Sequence, residues 1–364
     1  NISVMVGQLY KLTDVRRDGA YTIFYMGINL GAAVGTILVG YLGETIGWGY
    51  GFGLAGIGML AGLVVFVLGK GALIGAGEAP VPLSKAKEMS LYGIGVASVG
   101  VIWALVQYQS VIQSLLVVSG LGLLGYVLYE TFKLDKEPRE RMFAILFLIS
   151  LNPLFWGLFE QAGGSMSLFT DRYVDRGATP ASLFQSINPI YIIILAPLFA
   201  GLWQWLGRKG KEPSAPAKFG LALAQMGLAN LVLVWGAQAY GLAAMTPVLF
   251  VFLYYLLATT GELCLSPVGL SAMNRLAPSY LASLIMGAWF YMTAVGNFVA
   301  GKIGEATGGH DGQMTKQGLL DVYELFGWIS IGVAVVVLLL SPIVKRWMHL
   351  DTLKDEEPAT EKAA

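Results

Sequence analysis

Long uncharged apolar stretches recur along the whole chain. A helix that crosses the hydrocarbon core of a bilayer needs about 20 apolar residues. Runs without Asp, Glu, Lys or Arg cover residues 19–43, 45–69, 89–129, 142–159, 219–261 and 276–301. The longer runs divide at turn-like segments, such as 107–110 and 241–247. The pattern therefore predicts ten membrane-spanning helices, at 21–42, 49–69, 91–106, 112–132, 141–166, 185–206, 218–240, 247–273, 281–302 and 323–344.

The positions of the basic residues support both the number of helices and their orientation. If the first loop lies in the cytoplasm and the chain crosses at each predicted span, nineteen of the 23 Lys and Arg residues fall on the cytoplasmic side. Cytoplasmic loops of membrane proteins carry an excess of these residues. A wrong number of spans would scramble the asymmetry. We therefore predict that the C-terminus lies in the cytoplasm.

The composition agrees with an all-α integral membrane protein. Of the 364 residues, 56% are hydrophobic and 13% are charged, whereas about a quarter of the residues in soluble domains are charged. This low content of charged residues predicts that the lipid bilayer surrounds the protein. Because the net charge is zero, we expect no nucleic acid to bind it. The single cysteine, Cys264, permits no internal disulfide.

Two G-x-G-x-x-G patterns, at 51–56 and 120–125, resemble a dinucleotide-binding fingerprint. That fingerprint requires a preceding strand and a following helix, whereas both patterns lie inside apolar helical runs. Close helix packing by small residues is the favoured interpretation. His310 and His349 fall in loops, and no zinc or catalytic-triad spacing occurs. We therefore predict no enzyme activity, no catalytic residue, no metal and no cofactor.

Two acidic residues lie inside predicted spans. Glu160 is the only ionisable residue between Arg141 and Asp171, and Glu262 lies near the middle of its span. A carboxylate at the centre of the bilayer costs about 2.5–3.5 kcal/mol on insertion scales, and such residues usually mark a substrate or proton path. A buried ion pair or a protonated, hydrogen-bonded acid is the structural alternative.

Neutral polar and aromatic residues lie at similar depth in other spans. Asn29 and Asn188 are isolated amides, and each could simply hold helices together by a hydrogen bond. Trp156 precedes Glu160 by four residues, so the two share one helix face. Aromatic residues are more often packing than a binding wall, but an acid beside aromatic side chains is what a substrate cavity would present.

Several of these segments resemble the proton-dependent oligopeptide transporters, the POT or PTR2 family of the major facilitator superfamily. The similarity lies in FYMGINLG at 24–31, FWGLFEQ at 155–161, Gly261-Glu262 and Ser266-Pro267, and it extends from the first residue to about 345. This family has twelve helices in two six-helix halves, and bacterial members often carry two further helices between the halves.

The resemblance implies that the chain begins before the fifth helix of that fold, and we expect it to be N-terminally truncated. The family's Glu-x-x-Glu-Arg motif of the first helix and its lysine of the fourth helix do not occur in this sequence. The implied divisions are the end of the N-terminal bundle at 1–70, a linker with two extra helices at 71–136, the C-terminal bundle at 137–346 and a cytoplasmic tail at 347–364.

The resemblance also implies a function, which is symport of di- and tripeptides with protons by alternating access. The proton gradient would drive transport without a cofactor, and we expect a functional monomer in the bacterial inner membrane. Glu160 would form an outer-gate ion pair and serve proton coupling, while Glu262 would receive the amino terminus of the peptide. The implied substrate-binding residues are Asn29, Trp156, Phe159, Asn188, Glu262, Ser266 and Trp289.

Two alternatives stay open at this stage. The first is a related symporter or exporter of another small solute, such as nitrate or a drug, although an acid in the pocket favours a ligand that carries an amine. The second is a membrane sensor or enzyme, for which the sequence offers neither a signalling domain nor a catalytic constellation.

Overall fold

The computed structural model of the chain describes residues 9, 16–73, 75, 83–308 and 314–352. Within these residues helices follow one another along nearly the whole chain. They are α1 (Arg16–Thr45), α2 (Trp48–Leu68), α3 (Lys85–Val106), α4 (Gln109–Lys133), α5 (Lys136–Ser150), α6 (Asn152–Phe159), α7 (Ser165–Tyr173), α8 (Ile187–Arg208), α9 (Ala215–Tyr240), α10 (Leu249–Leu276), α11 (Ala282–Thr307) and α12 (Lys316–Trp347).

Ten helical segments in the described part of the chain are long and apolar enough to cross a membrane. Each coincides with one predicted span, so the predicted all-α membrane architecture is confirmed. The predicted helix at 91–106 is longer in the structure because α3 begins at Lys85, where Ser84 accepts a hydrogen bond from the Lys87 amide. The first turn of α3 contains charged residues, so the apolar pattern did not include it.

The segment predicted as one helix at 141–166 is broken into three pieces. A 3₁₀ turn, Glu160–Gly163, separates α6 from α7, and α5 and α6 meet at Leu151. Gly163 and Gly164 follow each other at the break, and each glycine in a helix interior costs about 1 kcal/mol relative to alanine. The single continuous helix was therefore a wrong prediction, and Glu160 lies in a turn.

Loop contacts at the two ends of the bundle agree with the predicted alternation of sides. After α7, the short strand β1 (Val174–Asp175) pairs in parallel with β2 (Thr246–Pro247), which precedes α10. The buried Lys316 ammonium, at the start of α12, donates to the carbonyls of Gly241 at 3.1 Å and Ala244 at 2.7 Å. These contacts place the end of α7, the α9–α10 loop and the start of α12 on one side.

The opposite end of the bundle shows the same agreement. Arg141, near the start of α5, donates to Thr352 Oγ1 at 2.8 Å and to the His349 carbonyl at 3.3 Å, beyond the end of α12. His349 Nε2 lies 2.5 Å from Glu140 Oε2. The first turn of α5 and the end of α12 therefore meet on one side, as an even number of crossings between them requires.

Glycine allows α9 and α12 to pack backbone against backbone. A Cβ added at Gly227 would lie 2.6 Å from the Gly327 carbonyl oxygen and 2.9 Å from Ile331 Cγ1. Real Cβ atoms do not approach a carbonyl oxygen this closely, so any side chain at position 227 would force the helices apart. Close backbone approach through small residues is a general means of association for membrane helices.

We predict that Gly227→Ala lowers the thermal unfolding temperature of the detergent-purified protein. Overpacking a tight contact typically costs about 1–3 kcal/mol. Gly332→Ala is a matched control in α12, because nothing lies within 4 Å of a Cβ at that position. An unfolding temperature for Gly227→Ala equal to that of the parent and of Gly332→Ala would contradict this description of the α9–α12 contact.

The pair α3 and α4 is joined to the C-terminal helices through α4. The Tyr291 hydroxyl on α11 donates to the Leu116 carbonyl and lies 2.9 Å from Ser119 Oγ. A Cβ at Gly120 would lie 3.0 Å from the same hydroxyl oxygen. At Gly51, a Cβ would lie 2.6 Å from the Val39 carbonyl. The interpretation of the glycine patterns as helix packing therefore holds at these two glycines, whereas nothing lies within 4 Å of a Cβ built at the other four, Gly53, Gly56, Gly122 and Gly125.

Candidate functional site

Glu262 and Asn188 form the centre of the candidate site. Glu262 lies halfway along the 28-residue α10 and is 8% exposed. Asn188, the second residue of α8, donates from Nδ2 to Glu262 Oε2 at 2.9 Å and to Thr259 Oγ1 at 3.0 Å. The amide of α8 therefore fixes the orientation of the α10 carboxylate.

Glu262 has no basic partner among the residues that the structure describes. The described ion pairs lie elsewhere, and those of Lys302 and Lys218 are made with Glu305 and Glu212. A buried carboxylate without a counter-ion is costly. The arrangement therefore leaves Glu262 able to pair with a cation that a ligand supplies.

Two further buried polar atoms of the predicted site residues lack hydrogen-bond partners. Ser266, one helical turn after Glu262, has a buried hydroxyl with no hydrogen-bond partner, and the Trp156 indole nitrogen on α6 is in the same state. Pro267 lies inside α10 and cannot donate to the carbonyl four residues earlier. These groups could accept or donate hydrogen bonds to a bound molecule.

The aromatic residues before Glu160 form one cluster. The ring centroids of Phe155, Trp156 and Phe159 lie 5.2–5.7 Å apart. Phe155 is fully buried, and its ring lies 3.4 Å from a Cβ built on Gly261, next to Glu262. Trp156 and Phe159 are partly exposed. The absence of a side chain at Gly261 thus brings α6 against α10 at the level of the carboxylate.

Trp289, a predicted substrate-binding residue, lies on α11 with a buried side chain. Its ring is 3% exposed, packs across Gly269 of α10 and meets the Phe219 ring edge-on at 6.1 Å between centroids. Asn152 also donates to the Trp289 carbonyl at 3.5 Å. The Trp289 ring is thus packed among α9, α10 and α11 in this structure, and its role in substrate binding stays a prediction.

Glu160 is exposed on the turn between α6 and α7. Its backbone amide still donates to the Trp156 carbonyl, so the predicted i, i+4 relation of these two residues holds at the break. No Lys or Arg in the described part of the chain pairs with it.

The remaining predicted site residue, Asn29, lies on α1 and is 7% exposed. Helix α1 packs against α8, which carries Asn188. At the far end of α1, the Glu44 carboxylate accepts a hydrogen bond from the Ser182 amide at 2.8 Å. The contacts thus join Asn188 to Glu262 directly and put Asn29 on a neighbouring helix.

Sequence reasoning missed the residues that stabilise the break beside Glu160. Gln161 is 2% exposed and bonds to Ser165 and to carbonyls of α6 and α11, and the Tyr254 hydroxyl reaches the Leu158 carbonyl at 3.5 Å. The adjacent glycines Gly163 and Gly164 were the only local signal of a break.

Comparison with known proteins identifies the family. The model of the POT family matches residues 1–319. The peptide transporter YePEPT of Yersinia enterocolitica is 38% identical over 94% of this chain and 71% of its own length. The uncharacterized transporter YclF of Bacillus subtilis is 35% identical over 96% of this chain and 71% of its own length. Dipeptide and tripeptide permease B of Edwardsiella piscicida is 30% identical over 96% and 72%.

Solved structures give the same result. A crystal structure of a peptide transporter POT in complex with sulfate superimposes with a TM-score of 0.80 at 32% identity, covering 96% of this chain and 72% of the other. A complex of a POT family transporter with 5-aminolevulinic acid gives a TM-score of 0.78 at 29% identity, covering 94% and 73%. With ten apolar helices among its described residues, arranged as in the major facilitator superfamily, this chain belongs to the POT family of membrane transporters.

Proposed function

We propose that the protein carrying this chain imports di- and tripeptides together with protons by alternating access. The observation that carries the proposal is the buried carboxylate of Glu262, which Asn188 orients and no described basic residue neutralises. Relatives named as peptide transporter and as dipeptide and tripeptide permease support the same substrate class.

A zwitterionic peptide matches the charge of this site. Its ammonium group would pair with Glu262, and a hydrogen bond between charged groups is about twice as strong as one between neutral groups. The peptide backbone would use the unpartnered Ser266 hydroxyl and Trp156 indole, with Phe159 and Asn29 alongside. An anion such as nitrate would meet the negative charge of Glu262 unfavourably, which disfavours that alternative.

Glu160 would supply the proton-dependent step. It lies exposed on a turn, toward the side where α7 ends, and has no described cationic partner. When ionised it would pair with a basic group of the facing half and close the site on that side. Protonation would remove its charge and release the pair, because the attraction between two such groups depends on both being ionised.

Competition for binding tests the role of the ligand amine. Purified complete gene product is incubated with radiolabelled dialanine and increasing concentrations of unlabelled dialanine, N-acetyl-dialanine or nitrate. We expect dialanine to compete and its acetylated analogue to compete about ten- to a hundredfold less well, since the analogue loses a charge-assisted hydrogen bond. Equal competition by N-acetyl-dialanine, or strong competition by nitrate, would contradict the proposed pairing.

A further inference from the structure

A fully buried hydrogen-bond chain surrounds the turn that carries Glu160. Gln161 Nε2 donates to the Gly157 carbonyl at 2.9 Å and to the Ala300 carbonyl of α11 at 3.0 Å. Ser165 Oγ donates to Gln161 Oε1 at 2.6 Å and lies 2.8 Å from the Tyr323 hydroxyl of α12. Gln161, Ser165 and Tyr323 are each at most 3% exposed.

The directions of these hydrogen bonds are determined by counting protons. A serine hydroxyl has one proton, and that of Ser165 is used toward Gln161. Tyr323 must therefore donate to Ser165 Oγ. Both amide protons of Gln161 are used on carbonyls, and a flipped amide would place its oxygen against those carbonyls. The hydrogen-bond chain through Gln161, Ser165 and Tyr323 thus has one consistent set of donors and acceptors, in which every side-chain donor is satisfied.

The hydrogen-bond chain connects the helix break between α6 and α7 to α11 and α12. Gly157 is in the last turn of α6, where carbonyls lack their usual helical partners, and the Gln161 side chain satisfies one of them. The same side chain reaches α11, and Ser165 extends the contact to α12. Glu160 and Gln161 are neighbours in a four-residue turn, with Gln161 buried inward and Glu160 exposed. The hydrogen bonds of the Gln161 side chain therefore anchor the same turn that carries the Glu160 carboxylate.

We propose that Gln161 is a positioning residue for Glu160, and that the chain through Ser165 to Tyr323 ties the Glu160 turn to α11 and α12. The inference rests on the proposed proton coupling through Glu160. Without the anchor the turn rotates, and the carboxylate is no longer held where a partner from the facing half can pair with it. The defect is in coupling and not in peptide binding, because Gln161 does not reach Glu262.

Gln161→Leu and Tyr323→Phe test this role in the complete gene product, reconstituted in proteoliposomes. We expect dialanine uptake driven by a proton gradient to fall about tenfold in Gln161→Leu. This is the fold-change that corresponds to the loss of one buried hydrogen bond of ordinary strength. Tyr323→Phe, which removes only the last donor, shows a smaller loss in the same direction. Dialanine counterflow, which needs no proton gradient, should stay within about twofold of the parent, because the substitutions leave the affinity of the site for dialanine unchanged.

Thr170→Val is the matched control, since the Thr170 hydroxyl is equally buried in α7 but donates only to the Met166 carbonyl of its own helix. It should preserve driven uptake. Adding Gln161→Leu to Glu160→Gln should leave the retained counterflow at the level of Glu160→Gln alone, since a residue that acts through Glu160 has no further effect once the carboxylate is gone. A further loss of counterflow in that combination, or an equal loss of counterflow and driven uptake in Gln161→Leu, would overturn the proposal.

Hydrogen–deuterium exchange of residues 157–168 gives a readout that does not depend on transport. Exchange in this segment should rise in Gln161→Leu and Tyr323→Phe and stay at the parent level in Thr170→Val, because open turns exchange faster. Unchanged exchange in both test variants would overturn the anchoring role. If the parent imports no dialanine but exchange responds as expected, the proposed function fails while the anchor stands.

Discussion

Replacing Glu262 by glutamine is expected to lower the affinity for dialanine by at least about thirtyfold. The amide keeps the size of the carboxylate and can still bond to Asn188, but it cannot neutralise an ammonium ion. Removing one partner of a buried charge pair costs about 2–5 kcal/mol, and each 1.4 kcal/mol is tenfold in affinity. Equilibrium binding of labelled dialanine to the purified complete gene product measures the effect.

The control for this substitution is Glu305→Gln. Glu305 pairs with Lys302 on the exposed surface of α11, with side chains 59% and 48% exposed, and exposed ion pairs contribute little. Its loss should change dialanine affinity less than about twofold. Parent-like affinity in Glu262→Gln would show that the peptide amine binds elsewhere.

Glu160→Gln is expected to abolish proton-driven uptake while some counterflow is retained. A carboxyl group can gain and lose a proton, whereas an amide can do neither, so we expect the variant not to couple the proton gradient to closure of the site. Exchange of bound for free dialanine across the membrane needs no net proton movement and persists. Uptake with and without an imposed pH gradient, beside counterflow in the same proteoliposomes, separates the two activities.

Gradient-dependent uptake by Glu160→Gln equal to that of the parent would exclude the gate-and-coupling role. Loss of counterflow together with uptake would instead indicate a binding or folding defect. The two carboxylates thus have distinct expected signatures, since Glu262→Gln weakens binding in both assays and Glu160→Gln removes only the driven component.

The ten spans could be predicted because a bilayer imposes a simple rule of length and hydrophobicity. That rule is insensitive to the backbone inside a span, so the break at Glu160–Gly163 was missed although two glycines follow each other there. A helix interrupted within the membrane must satisfy its free carbonyls from neighbouring elements. The Gln161 side chain satisfies the Gly157 carbonyl, and its second amide proton donates to the Ala300 carbonyl, 139 residues away in the sequence.

The candidate site was predictable in part for a similar reason. Intramembrane carboxylates stand out against an apolar background, so Glu160 and Glu262 could be selected from the sequence. The 2.9 Å contact between Asn188 and Glu262 joins residues 74 positions apart, and only the resemblance to a family placed both residues in one site. The burial of Trp289 depends on the missing side chain at Gly269, a packing relation that neither residue reveals alone.

We propose that a single protein couples peptide binding at Glu262 to proton movement at Glu160. Proteoliposomes containing the complete gene product, given an inwardly directed proton gradient, test it most directly through labelled dialanine uptake with and without a protonophore. We predict accumulation of dialanine above its external concentration, abolished by the protonophore and by Glu160→Gln. Accumulation that persists when the gradient is collapsed, or dialanine that only equilibrates under a full gradient, would contradict the account.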